Sequence, residues 1–163
     1  MRRSITRFVL LALLATSGCV RHYAVPADAP TATVILSSDV DGVTVQAFAD
    51  RQCRPNPAGT RLAYFYRSFA DARSGAERSV VAGREFVFTF RHSRYTGTSN
   101  LVCEVTKAFV PSAGETYRAH LFTTPVGCDV TLTRAVSAGG SPKELPVSDV
   151  VAVRPVCFNT IEG

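Results

Sequence analysis

The chain contains no tryptophan, and its single methionine is the initiator, Met1. A core must therefore rest on valine, leucine, phenylalanine, tyrosine and alanine. Histidine is scarce, with only His22, His92 and His120. The five cysteines include no Cys-x-x-Cys pair, and the spacings of Cys53, Cys103, Cys128 and Cys157 are too wide for zinc ligation or a dithiol redox motif. There is no Gly-x-Ser-x-Gly turn, no HExxH and no phosphate-binding glycine loop. These absences remove the common sequence grounds for a metalloenzyme, a nucleotide-binding enzyme or a serine hydrolase. The longest apolar run, Phe8–Ala15, is also short: as a helix it covers about 12 Å, against the ~30 Å needed to cross a bilayer.

That run has a recognisable setting. Arg2, Arg3 and Arg7 precede it, and Thr16-Ser17-Gly18-Cys19 follows, so a positive segment, an apolar segment and small residues stand in the order of a secretory signal peptide. Ser17-Gly18-Cys19 resembles the lipobox of bacterial lipoproteins, with Thr16 where that family prefers leucine. The resemblance implies that the signal, residues 1–18, is cut off, that the Cys19 thiol carries lipid and that the new amine is acylated. It also implies a partner in the membrane itself. Val20, in place of an aspartate after the cysteine, implies the outer membrane, with the domain facing the periplasm.

Removing the signal changes the charge. The whole chain is +5, but residues 1–18 hold three arginines and no acid, which leaves 15 basic against 13 acidic side chains, or +2. A nucleic-acid partner is therefore not expected. The remaining 145 residues suit one domain with its own core.

With Cys19 assigned to lipid, Cys53, Cys103, Cys128 and Cys157 form an even set in an oxidising compartment, which points to two disulfides worth roughly 2–4 kcal/mol each. Residues 101–110, 116–123 and 128–133 read as consecutive strands. In one meander the first and third would lie about 9.6 Å apart, beyond the ~7 Å Cα limit for a bridge. That favours Cys53–Cys103 and Cys128–Cys157 among the three possible connectivities.

Val20–Thr31, with Pro26 and Pro30, reads either as a tether or as a segment laid along the domain. Strand patterns then run almost without interruption over residues 32–163. Residues 32–49 form an expected hairpin around Asp41-Gly42, and this valine-rich pair resembles small surface β-modules of the PEGA type. Residues 50–60 form a loop, Leu62–Arg67 a strand, and Ser68–Ala76 the one expected helical turn. Phe86, Phe88 and Phe90 alternate with Val87, Thr89 and Arg91, which marks a core strand with a second, outward face. Residues 91–100 read as a polar loop, 137–142 as a flexible loop, and 146–154 as the last strand. The expectation is an all-β, antiparallel two-layer sandwich of about eight strands, with a closed β-barrel as the alternative.

Candidate functional residues are few. His120 lies on the polar face of its strand, where Asp129 stands as an expected cross-strand partner. Arg91, His92, Arg94 and Tyr95 combine two guanidinium groups, an imidazole and an aromatic ring, a set able to grip a carboxylate, a sugar or an anionic surface. No catalytic, metal or cofactor site is expected. The functions that fit are a non-enzymatic envelope module binding a protein or polysaccharide, an inhibitor acting through the 91–100 loop, or an envelope hydrolase using His120 or His92.

Overall fold

The computed structural model describes residues 22–57, 60–66, 75–95, 97–98, 100–138 and 141–158. The signal segment, Cys19, Arg67 of the expected strand and residues 68–74 of the expected helical turn lie outside the described residues, while Ala76, at that turn's end, opens a strand.

Among the described residues ten strands form two five-stranded sheets packed face to face, so the protein is an all-β sandwich and not a closed barrel. They are β1 (Thr31–Ser38), β2 (Val43–Phe48), β3 (Arg61–Phe65), β4 (Ala76–Val81), β5 (Phe86–Tyr95), β6 (Asn100–Phe109), β7 (Thr116–Thr124), β8 (Gly127–Ala138), β9 (Ser141–Pro146) and β10 (Val151–Ala152). One sheet has the order β4-β1-β7-β8-β9 and the other β10-β6-β5-β2-β3.

The period-two patterns do what their chemistry requires. Phe86, Phe88, Phe90 and Phe109 project from one sheet and meet Val34, Leu36, Tyr117, Ala119 and Leu121 of the other, all buried. Phe88 sits edge-on to Phe109 at 6.1 Å and to Phe90 at 6.0 Å, an arrangement favoured by ring quadrupoles. The Tyr117 hydroxyl accepts a hydrogen bond from the Ser112 N–H at 2.9 Å, so the one polar tip in this group is satisfied.

The second face of β5 is covered, not solvated. Val87 and Thr89 are fully buried beneath the C-terminal segment, with Phe48, Ala108, Val153 and Cys157 around them. The Thr89 and Thr106 hydroxyls share a hydrogen bond of 2.7 Å, and Thr106 Oγ1 also accepts from the Cys157 N–H. The Arg91 guanidinium lies 3.8 Å over the Phe158 ring and pairs with Glu104.

Several expectations change. Residues 32–49 are not a hairpin: β1 and β2 belong to different sheets, and Asp41-Gly42 turns the chain from one to the other. Gly42, at φ +73°, supplies the left-handed turn conformation in either case. Likewise β6 and β7 lie in different sheets, so no meander separates Cys103 from Cys128. They face each other across the sandwich and are bonded, with Cα atoms 6.1 Å apart. The other disulfide is Cys53–Cys157, Cα atoms 5.0 Å apart, which ties the C-terminal segment to the loop after β2. The pairings Cys53–Cys103 and Cys128–Cys157 are thus both replaced.

Residues 91–95 continue β5 rather than forming a loop. Residues 137–138 and 141–142 belong to β8 and β9, and the last strand is only Val151–Ala152. Residues 22–30 lie on the domain: the Tyr23 N–H donates to the Arg61 carbonyl at 2.9 Å, and its ring packs edge-on to Phe86 at 5.9 Å.

Candidate functional site

Strand pairing distributes the four residues expected to act together. Arg91 is half-buried against Phe158 and Glu104. His92 stands opposite Cys103, half-buried, and its Nδ1 has no hydrogen-bond partner among the described residues. Arg94, opposite Leu101, is exposed and makes no ion pair among the described residues. Tyr95 is 70% exposed, and its hydroxyl donates to the Gly97 carbonyl at 2.7 Å, across the hairpin tip. Only Arg94 and Tyr95 therefore remain available at this end.

They have apolar company that the sequence pattern did not mark. Leu101 and Val102 are 58% and 50% exposed on β6, and Val126 is 98% exposed in the β7–β8 turn. The Cys103–Cys128 bridge holds the hairpin and that turn together, since it joins the residue after Val102 to one two positions beyond Val126. The result is an exposed apolar end with a tyrosine and a free guanidinium.

Behind it runs a cleft of about 430 Å³ between β6 and β8, lined in part by Glu104, Lys107, Cys128, Asp129 and Arg154. On β6 the inward positions are Cys103, Val105 and Lys107, opposite His92, Phe90 and Phe88. Two of them cross to β8, Cys103 through its disulfide and Lys107 through an ion pair to Asp129 at 2.9 Å. Partial burial pushes the Asp129 carboxyl up, but the Lys107 side chain and the Val130 N–H outweigh it and hold the carboxyl below its ordinary range.

His120 does not pair with Asp129. In the parallel β1–β7 ladder it stands directly opposite Ser37, and directly opposed residues share a face. Ser37 Oγ lies 2.9 Å from His120 Nδ1, and Asp39, two residues further along, lies 3.2 Å from Nε2. A serine hydrogen-bonded to a histidine, with an aspartate beside the other ring nitrogen, thus forms a line on the outer face of this sheet. Ser37 and Asp39 were not singled out from sequence. The Ser-x-Asp spacing at the end of a strand, which puts both side chains on one face, was the available signal. On the same face Glu144 accepts from the Thr133 hydroxyl and from Arg118, and both hold its carboxyl below the ordinary range.

Among the described residues no group of three histidine, cysteine or carboxylate side chains is placed to hold a metal ion, and no helix is long and apolar enough to cross a membrane. Compared with known proteins, the chain matches no family model, no curated protein and no solved structure.

Proposed function

We propose that the chain is a lipoprotein of the bacterial outer membrane, anchored through Cys19, whose β-sandwich binds an envelope protein or polysaccharide on the periplasmic side without catalysing a reaction. The observation that carries the anchor is the run Phe8–Ala15 followed by Ser17-Gly18-Cys19. The exposed apolar end at Tyr95, Leu101, Val102 and Val126 supports a binding role, because large apolar side chains gathered at one protruding end of a small domain mark an interaction site. Mass spectrometry of membrane-extracted protein tests the anchor. The expected N-terminus is acylated Cys19; an intact N-terminus, or membrane attachment unchanged in Cys19→Ser, refutes it.

A second reading has its own observation. The Ser37–His120–Asp39 line contains a nucleophile, a base and an orienting carboxylate within hydrogen-bond reach. Hydrolysis also requires N–H donors aimed at the developing oxyanion, whereas the backbone at Ser37 is paired along β7. Exposure to a fluorophosphonate separates the readings. A covalent adduct on Ser37 that His120→Ala abolishes would replace the binding module with a hydrolase.

A further inference from the structure

The ends of the two sheets are guarded in different ways. β9 reads Ser-Pro-Lys-Glu-Leu-Pro, with two prolines and two charges, and β4 carries Glu77 and Arg78. β3 is five residues long and is partly covered by His22 and Tyr23. Short strands, prolines, charges and covering segments are the usual means of preventing unwanted strand addition. One edge has little of this. β10 pairs with β6 only at Lys107 and Ala108, and the Val153 N–H then bonds the Thr106 carbonyl. Beyond that point Asn100–Val105 has no backbone partner on this side among the described residues, and its sequence, Asn-Leu-Val-Cys-Glu-Val, holds one charge.

The direction of the free groups follows from the Val153 bond. Because the Thr106 carbonyl points outward, the backbone groups of alternate residues, Glu104 and Val102, point outward as well. Four donors and acceptors thus continue the line that β10 begins. Across the cleft, β8 is unpaired by β9 before Leu132, so it forms a wall opposite this edge.

The charges nearby are unequal. Glu104 is taken by Arg91 and Asp129 by Lys107, whereas Arg94 at one end and Arg154 at the other have no acidic partner among the described residues. An extended segment lying between them would meet apolar side chains at Leu101, Val102 and Val126 and a guanidinium at each end.

From this arrangement we propose that the edge Asn100–Val105 of β6 takes an extended segment of a partner protein, apolar in its middle and acidic at its ends, as an added strand in line with β10. The proposal rests on the reading of the domain as a binding module and names the partner's chemistry: backbone pairing supplies register, and Arg94 and Arg154 select acidic ends.

The test uses the full chain in detergent micelles with three synthetic octapeptides, each acetylated and amidated. One alternates valine and threonine with glutamate at both ends; the second has lysine at the ends; the third is the glutamate peptide N-methylated on alternate residues. Amide exchange followed by NMR reads the edge. The glutamate peptide should slow exchange at Val102 and Glu104 by about tenfold or more, the lysine peptide much less, and the N-methylated peptide not at all. Val102→Pro removes one outward N–H at an edge position where proline is tolerated, and should abolish the protection without moving the thermal midpoint. Protection that is absent, that falls on β4 or β9, or that is equal for the lysine peptide would overturn the proposal. So would slowing at Val102 and Glu104 with protein concentration alone, since a second copy would then be the occupant. Photo-crosslinkers at Val126 and at Lys143 in native membranes distinguish the two ways of failing. Adducts only from Lys143 would sink the edge and leave the binding module standing; none from either, with the anchor intact, would sink both.

Discussion

The two disulfides should contribute unequally, and the order follows from the lengths of chain they enclose. Cys103–Cys128 closes 25 residues and Cys53–Cys157 closes 104. Loop-closure entropy in the unfolded chain then gives about 3.5 kcal/mol for the short loop and about 4.7 kcal/mol for the long one. At roughly 3–5 °C per kcal/mol for a domain of this size, Cys103→Ala with Cys128→Ala should lower the thermal midpoint by about 10–17 °C. Cys53→Ala with Cys157→Ala should lower it by about 14–23 °C. Packing acts in the same direction: Cys157 is fully buried with Phe48, Val87 and Val153, so its truncation also leaves a small void, while Cys103 and Cys128 are half-buried. Circular dichroism melts of the two double variants, under oxidising conditions, give the comparison. Equal midpoints, or a larger loss from the Cys103 and Cys128 pair, would refute the reasoning. A non-reducing peptide map that joined Cys53 to Cys103 would refute the structure beneath it.

Phe88→Ala, which empties the centre of the aromatic row, should cost about 3–5 kcal/mol in urea unfolding. Gly75→Ala should destabilise more than Gly83→Ala. Both glycines have positive φ, costing roughly 1 kcal/mol each on substitution, but a Cβ at Gly75 would come within 2.9 Å of the Leu36 carbonyl oxygen while one at Gly83 meets nothing within 4 Å. The Asp129 carboxyl, lowered in the fold, contributes stability that is complete above its ordinary value of 3.8 and is lost as the pH falls through its lower folded value. The stability difference between the native chain and Asp129→Asn, read from urea midpoints, should therefore shrink steadily below that pH; a difference unchanged in acid would contradict the Lys107 pairing.

Strand positions were legible where side-chain alternation is regular, because alternation is a local property, and they were missed at 91–95, 137–138 and 141–142, where the residues are polar or rich in glycine and proline. Phe86, Phe88 and Phe90, and likewise Tyr117, Ala119 and Leu121, are buried as their spacing requires. Sheet membership was not legible, because Asp41-Gly42 has the same turn chemistry whether it closes a hairpin or carries the chain to the opposite sheet. The disulfide assignment failed at that step: the distance limit was sound, but it was applied to strands assumed to share a sheet. Val87 and Thr89 read as outward, and they are. What covers them is the segment after β10, some 65 residues later, and no local period announces a cover. The same holds for His120, whose partners Ser37 and Asp39 reach it through a parallel pairing of β1 with β7 that spans 83 positions.

The packing also narrows where a partner can bind. The outer face of the β5 sheet is closed by its own C-terminal segment, pinned at Cys53–Cys157 and by Phe158 on Arg91, so using it would mean stripping away buried groups. On the outer face of the other sheet the polar side chains Ser37, His120 and Asp39, and Arg118, Glu144 and Thr133, are engaged with one another. Among the described residues the most exposed large apolar side chains, Tyr95, Leu101, Val102 and Val126, lie at one end beside the β6 edge, and Tyr66, Val110 and Val151 are less exposed. Tyr23, four residues after Cys19 in the chain, packs on Phe86 at the opposite end of β5. Nine residue steps separate Phe86 from Tyr95, about 30 Å at the rise of an extended chain. A lipid at Cys19 reaches no more than about 14 Å from Tyr23. Under the proposed anchor at Cys19, the apolar end would lie farther along the domain than the lipid, and the expectation is that its exposed side chains meet a partner protein and not the lipid surface. A lipid-vesicle binding assay on the Cys19→Ser chain checks this: it should not bind, and substituting Leu101, Val102 and Val126 with serine should leave that result unchanged.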